Sequence, residues 1–398
     1  MLALIVAGFF YGFEEGIVED IRKIITVPGV LITDFFVVGS PGAALVNAGL
    51  VGLAGLILTL VAKIPVRGPI IAAIFTMAGF SLMGKTIINI WPIFLGVWLY
   101  SVIQKEQFNH FILNALFGTA LAPLVSSASF GLELGIWGGL VFGVMGGFLI
   151  PPLAGHFLAT HQGMNLYNVG FTAGFIGTLF AGIFRAFGPG KELLTIWGEG
   201  FNPSIMLPLI LYFVSMLVVG LILSKGKLGS YLKLNKEVGA LVSDFVSQHG
   251  PGAAFFNMGV VGIIGTSYVL AVGGELNGPS ISGIFTMVGF AAFGKHAKNV
   301  LPIMVGAFLS LLVFQWSPTE PGPILGVLFG TTLAPIAGNY GSIAGIAAGF
   351  FHMAMVMNVG YLHGGLNLYN NGFAGGIVAT LMVGVLKNFS NNREEAIK

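Results

Sequence analysis

Residues 68–93 read GPIIAAIFTMAGFSLMGKTIINIWPI, and residues 278–303 read GPSISGIFTMVGFAAFGKHAKNVLPI. Both stretches begin with Gly-Pro, contain Ile-Phe-Thr-Met followed by Gly-Phe, and carry a Gly-Lys pair four residues before an Asn. They lie 210 residues apart. A match of this length, with no shift along its course, indicates that the chain contains an internal duplication.

The duplication extends well beyond this pair. The pattern HxGxNLYNxGF occurs at 161–171 and again at 363–373, in the same order relative to the first match. The repeated unit therefore covers most of the chain. We divide it into an N-terminal membrane repeat, residues 1–200, and a C-terminal membrane repeat, residues 201–398.

The composition excludes a soluble protein. Charged residues are 8% of the 398 residues and hydrophobic residues are 56%, whereas a soluble domain has about 25% charged residues. Cysteine is absent, so disulfides and thiolate metal sites are excluded, and no cofactor or metal is expected. The net charge of +2 gives no indication of nucleic-acid binding.

Long uncharged runs indicate that the membrane segments are helices. No Asp, Glu, Lys or Arg occurs in the 51 residues between Glu133 and Arg185, or in the 66 residues between Glu320 and Lys387. A membrane helix needs about 20 apolar residues, so each run holds more than one. A β-barrel would need short alternating strands, which these runs lack. The sequence predicts an all-α, polytopic membrane protein.

Several predicted segments are unusual for membrane helices. Segments 69–84 and 279–294 are short, while 110–128 and 322–338 are interrupted by Gly-Thr and Ala-Pro. Such features at matching places in two halves predict discontinuous or re-entrant helices; tilted or kinked full helices are the alternative. The other predicted segments are 1–13, 41–62, 88–104, 134–155, 166–187, 204–224, 251–272, 299–316, 342–360 and 368–387.

The first segment, residues 1–13, is too short to span, since a helix of this length rises about 20 Å. Either the chain start has been lost or the helix continues past Glu14.

Basic residues are distributed differently in equivalent loops. The loop 225–236 contains four lysines and is predicted to be cytoplasmic. Its equivalent near 14–23 is mainly acidic. Lys63 and Arg67 likewise have uncharged residues at the equivalent positions of the second half. This exchange predicts that the two repeats have inverted orientations in the membrane.

Two lysines are the most conspicuous candidates for a solute site. Lys85 and Lys295 occupy the same position in the two repeats. A lysine inside a membrane protein is costly unless it reaches water, a cavity or a partner. We interpret the pair as cations that line a solute path or counter Asp34 and Asp244; the alternative is two lysines whose head groups reach the membrane surface.

Other duplicated polar residues are further candidates. The Asn-Leu-Tyr-Asn boxes open an apolar segment in each half, and asparagine at a helix start either caps the helix or belongs to a polar site. Proton relay by His161 and His363, which precede the boxes, is a weaker hypothesis. The intramembrane threonines and amides either line a path or bond within and between helices. The box, threonine and amide candidates are Asn165, Tyr167, Asn168, Asn367, Tyr369, Asn370, Thr76, Thr286, Asn47 and Asn257.

The motifs G-P-x4-I-F-T-M-x-G-F and N-L-Y-N-x-G-F resemble those of a family of duplicated prokaryotic membrane proteins, domain of unknown function 1576. The resemblance covers nearly the whole chain and implies no particular activity. In architecture alone, an inverted repeat is also similar to the plan of urea transporters and related channels.

Two functional classes remain open. The first is a transporter or channel for a small polar or anionic solute, located in the cell membrane, with its site between the repeats and with a homo-oligomer possible. The second is a membrane-embedded enzyme or a redox or ion-translocating subunit. Because the polar residues are duplicated and acidic residues are scarce, the sequence favours transport over catalysis.

Overall fold

The computed structural model describes residues 1–188 and 195–397, with side chains through residue 388. Helices account for nearly all regular structure in these residues, and the predicted all-α class is confirmed. The helices of the first half are α1 (Leu2–Tyr11), α2 (Ile17–Thr26), α3 (Phe35–Val38), α4 (Pro41–Val61), α5 (Gly68–Phe80), α6 (Trp91–Gln104), α7 (Ile112–Gly118), α8 (Ala122–Ser126), α9 (Gly135–His161) and α10 (Asn168–Ala186). The helices of the second half are α11 (Asn202–Leu223), α12 (Gly229–Leu234), α13 (Phe245–His249), α14 (Pro251–Ala271), α15 (Gly278–Ala291), α16 (Ala297–Leu311), α17 (Pro321–Gly330), α18 (Ala334–Tyr340), α19 (Ser342–Val359) and α20 (Asn370–Ile397).

Eight helical units in the described part of the chain are long and apolar enough to cross a membrane. Two of the eight, Phe108–Gly131 and Pro321–Tyr340, are interrupted helices. The protein is therefore a multi-pass membrane protein. The continuous units are α4, α9, α10, α11, α14 and α19.

The two interrupted helices occupy the centre of the molecule. A tight 3₁₀ turn breaks each one, at Thr119–Leu121 and at Thr331–Leu333. An alanine and then a proline follow each turn, at Pro123 and Pro335, and the missing proline N–H prevents a regular helical bond across the break. Both units are 83% buried over their apolar window, whereas α11 is 28% buried and lies at the outside of the molecule.

The short helices α5 and α15 pack against each other in antiparallel orientation. Their 13 and 14 residues rise only about 20 Å, so the prediction of short, discontinuous helices is confirmed. A Cβ placed on Gly68, at the start of α5, would lie 2.3 Å from the carbonyl oxygen of Ala292, just past α15. A Cβ on Gly278, at the start of α15, would lie 2.5 Å from the carbonyl oxygen of Leu82, just past α5. Only glycine permits this approach.

Each of these helix starts is held by an aspartate from the opposite half. Asp244 accepts a hydrogen bond from the Gly68 N–H at 3.0 Å. Asp34 lies against the Gly278 N–H in the equivalent way and also accepts from Gly198 N–H at 3.0 Å. A carboxylate is favourable at the positive end of a helix dipole. We call these two contacts the crossed caps.

The first helix does not take the longer course considered above. Helix α1 ends at Tyr11, and Gly12 and Gly16 have positive φ angles of 75° and 99°. The helix therefore does not continue past Glu14. Helix α2, which follows, is strongly amphipathic, with Ile24 buried and Val18 exposed.

Candidate functional site

Both lysines are fully buried, each in the turn that follows a short helix. Lys295 Nζ donates hydrogen bonds to the Tyr167 hydroxyl at 2.5 Å and to Thr331 Oγ1 at 2.8 Å. Lys85 Nζ has no hydrogen-bond partner among the described residues. The two repeats thus place equivalent lysines in equivalent positions but give them different surroundings.

The tyrosines of the two Asn-Leu-Tyr-Asn boxes meet between the lysines. The rings of Tyr167 and Tyr369 lie 4.9 Å apart between centroids. The Tyr167 hydroxyl bonds Lys295, which belongs to the other half. The Tyr369 hydroxyl is buried beside the Thr76 hydroxyl of the other half and makes no hydrogen bond to a lysine. Each tyrosine therefore reaches into the opposite repeat.

Four phenylalanines surround the tyrosines. Phe80 packs edge-on against Tyr369 at 4.6 Å, and Phe290 packs against Tyr167 at 4.7 Å. Phe329 stacks on Phe80 at 5.3 Å, and Phe117 lies 5.5 Å from Phe290. These phenylalanines form two repeat-related pairs, and sequence reasoning missed them because they read as ordinary apolar residues. Their identity at equivalent places in both halves was the available signal.

The threonines complete this region, which we call the central cluster. Thr331 accepts from Lys295 and donates to the Leu328 carbonyl, and Thr286 bonds back to the Ser282 carbonyl at 2.9 Å. Thr76 Oγ1 is buried and has no partner among the described residues. The central cluster consists of Thr76, Thr286, Thr331, Lys85, Lys295, Tyr167, Tyr369, Phe80, Phe117, Phe290 and Phe329.

The first asparagine of each box braces the two repeats against each other. Asn165 Nδ2 donates to the Gly372 carbonyl at 3.1 Å, and Asn367 Nδ2 donates to the Gly170 carbonyl at 3.2 Å. The Asn165 side-chain oxygen also accepts from Thr332 at 2.6 Å. Thr332 has no threonine at the matching place of the first half, so repeat analysis gave no reason to select it.

The second asparagine of each box begins a helix and bonds a histidine. Asn168 and Asn370 start α10 and α20, and their side-chain oxygens contact the Nε2 atoms of His161 and His363 at 2.9 Å. Their amide groups donate to carbonyl groups of α9 and α19. These side chains form hydrogen bonds within their own half and fix the conformation of the chain where it enters each helix.

Asn47 and Asn257 hold the ends of the short helices. Asn47 Nδ2 donates to the carbonyls of Ser81 and Lys85, both at 2.8 Å, and its oxygen accepts from Ile87 N–H. Asn257 Nδ2 donates to the carbonyls of Ala291 and Lys295. Since each amide binds a lysine carbonyl, this pair sets the position of both lysine backbones.

The central cluster is rich in hydrogen-bond donors and contains no carboxylate. Lysine supplies donors only, and tyrosine and threonine hydroxyls supply further donors. Such an arrangement suits a ligand with acceptor oxygens. Among the described residues, no group of three or more His, Asp or Glu side chains is placed to hold a metal ion.

Comparison with protein families identifies one match. A family model described as "Protein of unknown function (DUF1576)" matches residues 13–186 and 223–388, with one segment in each half. Comparisons with curated proteins and with solved structures give no match. Because the matched segments cover well over half of its length, the chain belongs to the DUF1576 family.

Proposed function

We propose that this protein moves a small polar or anionic solute across the cell membrane, along a path that passes through the central cluster. The observation that carries the proposal is the buried Lys85 Nζ, which has no hydrogen-bond partner among the described residues and belongs to the same cluster as the buried hydroxyls of Thr76 and Tyr369. Burying a polar group without a partner is costly, so such groups are retained where a ligand uses them.

The proposal includes an inverted orientation of the two repeats. The antiparallel packing of α5 and α15 and the crossed caps support it, because equivalent helices then enter the membrane from opposite sides. A site between inverted repeats is suited to alternating access. The central lysines have no exposed surface, so the path is closed on both sides in this conformation.

The alternative of a membrane-embedded enzyme gains no specific support from the site. The polar side chains of the central cluster are duplicated in the two halves, as expected of a path shared by two repeats rather than of one asymmetric catalytic centre. We therefore propose a transport protein that is not an enzyme.

Transport is testable in proteoliposomes. Purified protein reconstituted with a panel of small solutes, namely formate, nitrate, acetate, phosphate, urea and formamide, is expected to pass at least one of them faster than empty liposomes. The variant Lys85→Gln is expected to lose most of that flux while remaining monodisperse in detergent. If no solute in the panel crosses faster than through empty liposomes, or if Lys85→Gln retains full flux, the proposal is wrong.

The inverted orientation has its own test. Since the chain has no cysteine, the single variants Glu15→Cys and Lys227→Cys each present one thiol at an exposed position. We expect an impermeant maleimide to label the second from the cytoplasmic side and the first from the opposite side. Labelling of both from one side contradicts the inverted arrangement.

A further inference from the structure

The two halves of the central cluster differ in one respect that bears on the ligand. In one half, Lys295, Tyr167 and Thr331 satisfy one another. In the other, Lys85 Nζ is buried and has no hydrogen-bond partner among the described residues, and the buried hydroxyls of Tyr369 and Thr76 lie beside each other. The lysine–tyrosine pairs are repeat equivalents and supply an internal reference: Lys295 bonds Tyr167, whereas Lys85 makes no hydrogen bond to Tyr369. The threonines are not equivalents, since Thr331 matches Thr119 and Thr76 matches Thr286.

Lys85 and Tyr369 both lie near the ring of Phe80. Lys85 Nζ lies 5.1 Å from the centroid of the Phe80 ring, and Tyr369 packs edge-on against the same ring. Thr76 is the hydroxyl residue that faces the Tyr369 hydroxyl. Phe80 therefore adjoins both Lys85 and Tyr369, and Thr76 lies beside the Tyr369 hydroxyl.

The hydrogen bonding of Thr76 also differs from that of its repeat equivalent. Its repeat equivalent, Thr286, bonds back to a carbonyl of its own helix, as threonines inside helices often do. Thr76 does not make this bond, and its hydroxyl is left for another acceptor.

We propose that Lys85, Tyr369 and Thr76 form a single binding site for a small oxyanion, while Lys295 and Tyr167 form a structural counterpart that binds none. Three donors call for a ligand made of acceptor oxygens, and the buried lysine favours a negative charge. A neutral carbonyl compound satisfies the hydroxyls but leaves the ammonium without a counter-charge in an apolar site. This inference rests on the proposed function and names the class of its substrate.

The experiment compares ligands of matched shape. Formate and formamide are nearly isosteric, as are nitrate and urea, and each pair differs in charge. Binding is measured on the purified full-length protein in detergent, by thermal shift and titration calorimetry, at constant ionic strength in sodium chloride; phosphate is tested alongside. We expect saturable stabilisation by formate or nitrate and none by formamide or urea at the same concentration.

A hydroxyl-deletion variant locates the site. Tyr369→Phe is expected to weaken oxyanion binding about tenfold or more, because it removes one donor to a charged ligand. The control is Tyr268→Phe, which also deletes a buried, unpartnered tyrosine hydroxyl but lies in α14, outside the central cluster. It is expected to bind within about twofold of wild type. If Tyr369→Phe does not fold, Thr76→Val takes its place with the same expectation.

The outcomes separate this inference from transport itself. Unchanged oxyanion binding in Tyr369→Phe and Thr76→Val, or no binding of any oxyanion tested, overturns the site. Binding of formamide or urea as tight as that of formate or nitrate overturns the requirement for charge and leaves transport of a polar solute intact. Absence of flux for every solute, despite oxyanion binding, contradicts the proposed function and not the site.

Discussion

Lys295 and Tyr167 lie 128 positions apart in the chain and are joined by a hydrogen bond from Nζ to the phenolic oxygen. The bond crosses from one repeat to the other inside a region without carboxylates. The equivalent pair, Lys85 and Tyr369, has no such bond. One pair therefore holds the halves together, and the other pair is left with its polar groups unpaired.

This difference predicts unequal effects of two matched substitutions on stability. Tyr167→Phe removes a partner from a buried lysine and is expected to cost about 1–3 kcal/mol of unfolding free energy. Tyr369→Phe removes a hydroxyl that lies beside the Thr76 hydroxyl and bonds no lysine, and without ligand it is expected to cost less than Tyr167→Phe. Reversible unfolding in mixed detergent–SDS micelles measures both. Equal losses would mean that the two hydroxyls have the same role.

The asparagines that hold the short helices predict a second inequality. Asn47→Leu leaves two carbonyls and one N–H without partners, whereas Asn257→Leu leaves two carbonyls. Each unsatisfied buried group costs about 1–3 kcal/mol, so both variants are expected to be strongly destabilised and Asn47→Leu more so. Melting temperatures by tryptophan fluorescence give the order, and the reverse order contradicts the bonding described.

The crossing of α10 and α20 predicts a third result. A Cβ on Gly174 would lie 2.3 Å from the ring of Phe373 across the repeat interface. Gly174→Ala is therefore expected to cost about 1–3 kcal/mol through overpacking. Gly182, two turns later on the same helix, has open space where a Cβ would lie, so Gly182→Ala is expected to be neutral or to stabilise by up to about 1 kcal/mol. The same micelle unfolding assay compares them, and equal effects would show that the crossing is loose.

A pH dependence is expected at the start of α2. Burial alone would raise the pKa of Asp20, but the Ser40 hydroxyl, the amides of Glu14 and Glu15, and Lys23 together bring this pKa below its usual value. A carboxyl whose folded-state pKa is lowered stabilises the protein above its unfolded pKa, and that stability is lost as the pH falls through the folded value. The melting temperature is expected to drop below about pH 4, with a smaller drop in Asp20→Asn. A variant that follows the wild-type curve would exclude Asp20 as the source.

The positions of most helices were predictable, because the length of an apolar segment and the Gly-Pro pairs that begin some helices are local features of the sequence. The predicted segments 251–272 and 342–360 agree closely with Pro251–Ala271 and Ser342–Val359. The amphipathic helix α2 was not predicted, because its residues were read only for their charge. The repeat comparison selected the lysines and tyrosines that lie in the central cluster and the asparagines that hold the surrounding helices.

The contacts between the two repeats could not be predicted from the sequence. Matching residues identify equivalence, but they do not say that Asn165 bonds the backbone of Gly372 rather than that of its own half. The asymmetry of the lysines was likewise hidden, since it depends on the direction in which two identical side chains point. Comparison of the repeats could not select Thr332, because the first half has Ala120 near the matching place.

The crossed caps also constrain how the protein is made. The ribosome completes Gly68 long before it reaches Asp244, 176 residues later. At about 5–20 residues per second, that interval is on the order of 10–35 seconds. During this time the start of α5 lacks its capping carboxylate. The newly inserted first half therefore stays in the translocon or the lipid with this helix end uncapped. Assembly is therefore completed only after synthesis of the second half has begun, and a chain truncated before Asp244 is expected to be a target for membrane quality control.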